Sequence, residues 1–113
     1  GGAMAVEAGG TSRVIINGGD FRQVGVPKDD PVCDLIYATN SATIEIKGGT
    51  FKAVTPANTL NVKDTDRGSA KIIVKGGSFY KFDPSKDNPG EITIPDGYKV
   101  VKDGDWYKVV ANN

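Results

Sequence analysis

The chain has 113 residues, with 14 basic and 14 acidic side chains, no histidine and one cysteine. Zero net charge leaves no basic footprint for nucleic acid or a membrane surface. Without histidine there is no Ser-His-Asp or Cys-His nucleophile and no His-based zinc site.

Taken in order, the chain starts Gly1-Gly2-Ala3-Met4-Ala5, which resembles a cleavage and cloning scar. Residues 1–4 are therefore set apart from the fold. A short apolar stretch, Ala5 to Ala8, leads to Gly9-Gly10-Thr11-Ser12-Arg13. Then comes a phrase that occurs three times. It reads Val14-Ile15-Ile16-Asn17-Gly18-Gly19-Asp20-Phe21, Ile44-Glu45-Ile46-Lys47-Gly48-Gly49-Thr50-Phe51 and Ile72-Ile73-Val74-Lys75-Gly76-Gly77-Ser78-Phe79. The copies lie 30 and 28 residues apart. A fixed period of this size marks stacked repeats.

Each unit reads as three short strands. In the second, these are Leu35 to Thr39, Thr43 to Lys47 and Thr50 to Val54. Apolar residues alternate at Val14/Ile16, Ile44/Ile46 and Ile72/Val74, with Ile15, Glu45 or Ile73 between them. Period two puts one face in and one face out. The glycine pairs Gly18-Gly19, Gly48-Gly49 and Gly76-Gly77 make the sharp corner. There a Cβ is costly in φ and crowds the corner stacked about 4.8 Å away. Phe21, Phe51 and Phe79 are then expected to stack inside the coils, as a structural core rather than an exposed platform.

Variable segments fall between copies. Gly25 to Pro31 is long and charged, with Lys28, Asp29 and Asp30, and Thr65 to Ala70 adds an Asp66-Arg67-Gly68 bump. Such insertions map to loops on one face. Cys33 reads as a small apolar residue at a strand start. From Asp83 the phrase ends. Ile92-Thr93-Ile94, a Pro95-Asp96-Gly97 turn, and a hairpin of Tyr98 to Val101 and Trp106 to Val110 follow. Residues 83–113 are read as a capping segment over coils 5–82. Trp106 and Tyr107 would cover the last coil, whose apolar side chains and backbone groups need a lid.

No metal, cofactor or catalytic constellation emerges. A calcium nonapeptide column would need carboxylates where Asp20, Thr50 and Ser78 align. Asp34 and Asp64 could approach on neighbouring coils, near Lys63 and Arg67, as glycosidase acids do. However, three coils span only about 15 Å, too short for a lyase groove. Two columns face outward: Asn17, Lys47 and Lys75 before the glycines, and Arg22, Lys52 and Tyr80 after the phenylalanines. Lys47, Lys75, Lys52 and Tyr80 are the candidate binding residues, as a basic strip for an anionic glycan with Tyr80, Trp106 or Tyr107 stacking on sugar. Edge protection by lysine is the plainer use of such a strip. Ile15 and Ile73 would be apolar on a strand face, a hint of subunit packing.

The Gly-Gly-Asp/Thr/Ser-Phe phrase, with the closing Ile94-Pro95-Asp96-Gly97-Tyr98-Lys99-Val100-Val101-Lys102-Asp103-Gly104-Asp105-Trp106-Tyr107-Lys108-Val109-Val110, resembles right-handed parallel β-helix repeats. Such repeats occur in surface proteins of gut bacteria and in fibres or spikes of the viruses that infect them. The resemblance covers about Ala5 to Val110. It implies an all-β chain: a short right-handed parallel β-helix of about three coils, three strands each, with a hairpin cap. By extension it implies a non-enzymatic structural and adhesive module at a virion surface or cell exterior. Such a module would be homotrimeric, without cofactor or membrane insertion, and would touch a cell-surface glycan or receptor. A stalk or adhesin repeat of a bacterial surface protein and a fragment of a polysaccharide lyase or hydrolase are the alternatives.

Overall fold

Alternating apolar residues, interrupted every few positions by glycine or a polar turn, fold here as short strands that pair with the next repeat instead of with their sequence neighbours. The computed structural model describes residues 5–23, 34–86 and 92–112. The charged loop from Gly25 to Pro31 and Cys33 lie outside the described residues.

The first coil holds β1 (Val6–Ala8), β2 (Arg13–Ile16) and β3 (Asp20–Arg22). The second holds β4 (Ile36–Ala38), β5 (Thr43–Ile46) and β6 (Thr50–Lys52). The third holds β7 (Leu60–Val62), β8 (Lys71–Val74) and β9 (Ser78–Tyr80). Equivalent strands stack in parallel, so a first sheet runs β1-β4-β7, while β2, β5 and β8 build a second and β3, β6 and β9 a third. Register follows the repeated phrase: Val14 lies on Ile44 and Ile44 on Ile72, and Phe21 lies on Phe51 and Phe51 on Phe79. The chain is thus mostly β, with solenoid-like coils and a C-terminal hairpin.

The core is the space between the three sheets. Ile36, Leu60, Ile44, Ile46, Ile72, Val74, Phe51 and Phe79 are all fully buried in it. Phe21, Phe51 and Phe79 form a parallel stack, with centroids 5.0 Å apart at both steps and planes within 11°. Phe82 continues it in a tilted contact at 6.3 Å.

Two different constraints act on the glycine pairs. The second of each pair has φ of +117° (Gly19), +114° (Gly49) and +98° (Gly77), a region that residues with a Cβ rarely adopt. The first has no such φ; its constraint is contact. A Cβ on Gly48 would stand 2.6 Å from the Asn17 carbonyl oxygen of the coil beneath, and one on Gly76 would press still closer on that of Lys47. Among the described residues no coil lies beneath Gly18, and a Cβ there meets nothing within 4 Å. Crowding is therefore greatest at the first glycine, while the second combines its positive φ with a looser contact, a Cβ on Gly49 standing 3.2 Å from the Gly19 carbonyl oxygen and one on Gly77 3.4 Å from that of Gly49.

Corner carbonyls are satisfied by the next coil. Thr50 N–H donates to Gly19 O and Ser78 N–H to Gly49 O, at 2.8 and 2.9 Å. Gly77 has no fourth repeat to serve it; Val109 N–H donates to its carbonyl at 3.0 Å. Val109 belongs to β12 (Trp106–Ala111), which pairs antiparallel with β9 on one side and with β11 (Tyr98–Asp103) on the other. The hairpin thereby extends the third sheet to the order β11-β12-β9-β6-β3. The coil path also continues past Phe79. β10 (Ile92–Thr93) adds to β8 in parallel, so the second sheet gains a fourth strand that the end of the repeated phrase does not announce.

The insertion at Thr65 to Ala70 serves the stack. A 3₁₀ turn, Asp64–Asp66, aims the Asp66 carboxylate at the backbone N–H of Asn40, 2.6 Å away. Ser69 Oγ donates to Asn40 O at 2.5 Å. Asn40 has φ of +56°, matching Gly10 at +61° one coil earlier, which asparagine tolerates better than most residues. Side chains here supply bonds that an equal-length turn would have made with its backbone.

Candidate binding face

Because each sheet has one inner and one outer face, outward side chains of successive coils fall into rows. The three outer faces differ in chemistry.

On the second sheet, Ile15, Glu45 and Ile73 are register partners on the outside. Ile15 is 47% exposed, whereas Glu45 is 4% exposed. Glu45 is covered by cations from all three coils: Lys75 Nζ at 2.6 Å, Arg13 at 3.6 Å and Lys47 at 3.9 Å. The bond from Lys75 holds the Glu45 carboxyl below its ordinary value, against the opposing effect of desolvation. The same bond raises Lys75 above its own. Lys47 and Lys75, read from sequence as part of a recognition strip, are thus engaged with a carboxylate of the same sheet.

On the first sheet, Glu7, Tyr37 and Asn61 form the outer row. Asp34 is buried beside it and accepts from Asn61 Nδ2 at 3.3 Å; burial raises its pKa. The Tyr37 phenol is raised first by burial, then by the charges of Asp34, Asp64, Asp66 and Glu7. Asp64 pairs with Arg67 at 3.1 Å in solvent. The two carboxylates considered for glycoside chemistry each have a structural partner: Asn61 holds Asp34 and Arg67 holds Asp64. Among the described residues, no group of three or more Cys, Asp or Glu side chains is placed to hold a metal ion. No helix among them is long and apolar enough to cross a membrane.

The third sheet is the widest, and its outer face joins coil residues to hairpin residues. One row carries Asp20, Thr50, Ser78 and Lys108, and the neighbouring row carries Arg22, Lys52, Tyr80, Trp106 and Asp103. Lys52 Nζ lies 4.4 Å from the Tyr80 ring centroid and Lys81 Nζ 5.3 Å. Trp106 meets Tyr80 edge to face at 5.3 Å. Asp103 and Lys108 pair at 3.1 Å. Thr50, Ser78, Asp103, Trp106 and Lys108 line a groove of about 240 Å³.

Lys52 and Tyr80, two of the four candidate binding residues, come together here; Lys47 and Lys75 sit one residue past the second-sheet strands β5 and β8. Trp106 and Tyr107, both assigned to the cap from sequence, are divided by strand alternation. Tyr107 is the register partner of inward-facing Phe79, so it shares that face, while Trp106 opposes Tyr80 on the outside. Asp103, Lys108, Thr50 and Ser78 carry no signal in the sequence that marks them as site residues. Period two within the hairpin would have put Trp106 and Lys108 on one face, but only the β12–β9 pairing brings Thr50 and Ser78 to them.

The fold therefore defines a class, a mostly β protein of stacked parallel coils closed by a hairpin. No protein-family model, curated protein or solved structure matches the chain.

Proposed function

We propose that the chain is a non-enzymatic structural and adhesive module, a short right-handed parallel β-helix in a fibre or spike of a bacterial virus, contacting glycan on the bacterial surface. One observation supports this most: the outer face of the third sheet merges coil and hairpin into a continuous row, Lys52–Tyr80–Trp106, of aromatic rings flanked by ammonium groups. Tyr and Trp give rigid contact area with a polar handle, which suits sugars that are apolar on one face and hydroxylated at the edge. Placement in a fibre rests on the resemblance of the Gly-Gly-Phe coils. The half-exposed Ile15 of the second sheet would pack between subunits of a trimer.

The adhesive reading is tested by co-sedimentation with Gram-negative and Gram-positive cells and by binding to their immobilised surface polysaccharides. Saturable binding that falls at least tenfold in Lys52→Ala/Tyr80→Ala supports it; no binding, or binding indifferent to that double change, overturns it. The fibre placement is tested by sedimentation equilibrium. A monomer at high micromolar concentration overturns the trimer and turns the assignment toward a stalk or adhesin repeat of a bacterial surface protein.

A further inference from the structure

The groove beside Trp106 carries a more specific reading, which rests on the adhesive proposal. We infer that it is a subsite for a single neutral pyranose ring, stacked on the indole and held by Thr50, Ser78, Asp103 and Lys108.

At about 240 Å³ the groove falls below the roughly 300–1,000 Å³ of pockets that enclose drug-sized ligands. It suits one sugar ring, with the rest of a glycan lying along the open sheet.

Trp106 is half-buried, and its edge-to-face contact with Tyr80 at 5.3 Å and 64° orients the indole. A held ring loses little freedom when a ligand stacks on it. The C–H face of a pyranose is the apolar surface that such a wall accepts.

The edge of the groove supplies hydrogen bonds of every kind. Thr50 and Ser78 are register partners on adjacent strands, so their hydroxyls lie in one row at the strand spacing of about 4.8 Å. Each hydroxyl donates and accepts, Asp103 accepts and Lys108 donates. Vicinal sugar hydroxyls need this mixture.

Charge then separates neutral from anionic sugars. Among the described residues, Lys108 is the only cation lining the groove, and it is paired with Asp103 at 3.1 Å. A carboxylate on the sugar would meet Asp103 as a like charge or take Lys108 from it. A neutral hydroxyl pair can bridge the two without breaking them. The cations at Tyr80, Lys52 and Lys81, lie outside the lining.

Trp106 is the sole tryptophan, so its fluorescence reports on the groove and on the adjoining Tyr80 ring, which the Thr50 and Asp103 variants, both in the groove lining, tell apart. The intact chain would be titrated with methyl glucoside, methyl galactoside, methyl mannoside and N-acetylglucosamine, and in parallel with glucuronate and galacturonate. At least one neutral pyranose is expected to change the emission saturably in the millimolar range, with each uronate at least tenfold weaker. Thr50→Ala and Asp103→Ala, both on the outer face, should weaken that response at least tenfold with an unchanged far-ultraviolet spectrum. No saturable response to any neutral pyranose, or equal response to the uronates, overturns the inference. If cells are still bound in that case, adhesion stands and its glycan sits elsewhere. If cell binding is also lost, both readings fall.

Discussion

The first coil and the third carry the same phrase but meet different neighbours. Among the described residues, Phe21, Val14 and Val6 have a coil on one side only and are half-buried, whereas their third-coil equivalents Phe79, Ile72 and Leu60 are fully buried. At the other end β10 and β12 continue two of the sheets, Phe82 and Pro84 are buried, and Val109 closes the last corner. Repeated letters therefore do not imply repeated energies. In a stack, a residue's contribution depends on how many coils flank it.

The phenylalanines should expose this most strongly. Phe51→Ala removes a ring stacked on both sides and should cost about 3–5 kcal/mol. Phe21→Ala, open on one side, should cost about half as much by the same reasoning. Urea unfolding monitored by circular dichroism measures both, and equal losses would mean that the ends are packed alike.

The glycines come next. Gly48→Ala forces a Cβ against a backbone carbonyl, which cannot swing away as a side chain would, and should cost about 1–3 kcal/mol. Gly76→Ala should be at least as damaging, and Gly48→Val more so. Gly49→Ala incurs backbone strain of about 1–3 kcal/mol in addition to a 3.2 Å contact with the Gly19 carbonyl oxygen. Gly18→Ala should stay within about 0.5 kcal/mol of the parent. A melting temperature for Gly48→Ala indistinguishable from that of Gly18→Ala would rule out the stacked-corner geometry.

Glu45 sharpens the comparison from the outer face, since its equivalents Ile15 and Ile73 are apolar. Its folded-state pKa is lowered, so its contribution is present above the ordinary value of 4.5 and lost as pH falls through the folded value. Lys75 is raised, so its contribution is present below 10.5 and lost as pH rises through its folded value. Glu45→Gln should therefore lower the melting temperature between these limits and converge on the parent beyond them. A gap independent of pH would assign the loss to packing. Arg13→Ala, at an exposed and longer contact, should change stability by less than about 1 kcal/mol.

The smallest effect concerns Asp34, which burial pushes the other way. With its folded pKa raised, the carboxyl favours the folded state below its ordinary 3.8 and loses that advantage as pH rises through the folded value. Asp34→Asn should slightly raise the melting temperature at pH 7, with the gain vanishing in acid. A lower melting temperature at pH 7 would show that the carboxylate matters to the bond with Asn61.

Local pattern made the coils legible. Apolar alternation marked the strands, the 30- and 28-residue spacing aligned Ile44 over Val14 and Ile72 over Ile44, and the same spacing brought the three phenylalanines into one stack. The binding face was legible only as far as Lys52 and Tyr80. Trp106 joins them because β12 pairs with β9 at a sequence distance that no repeat specifies. Glu45 read as a tolerated outward charge because burial by Arg13, Lys47 and Lys75 depends on three coils at once.

By itself the sequence determined period, corner and core. Identical residue types at a near-constant period fall on one another once the strands pair, and few other registers bury them all. Only the tertiary structure decided how the stack ends. Gly77 leaves a carbonyl that no further copy of the phrase can satisfy, and the N–H that reaches it, that of Val109, lies 32 residues on in a hairpin strand running the opposite way. That single change of partner puts Tyr107 on the face of Phe79 and Trp106 on the outer face beside Tyr80. It completes the third sheet's outer face with a groove that neither the coils nor the hairpin contains alone.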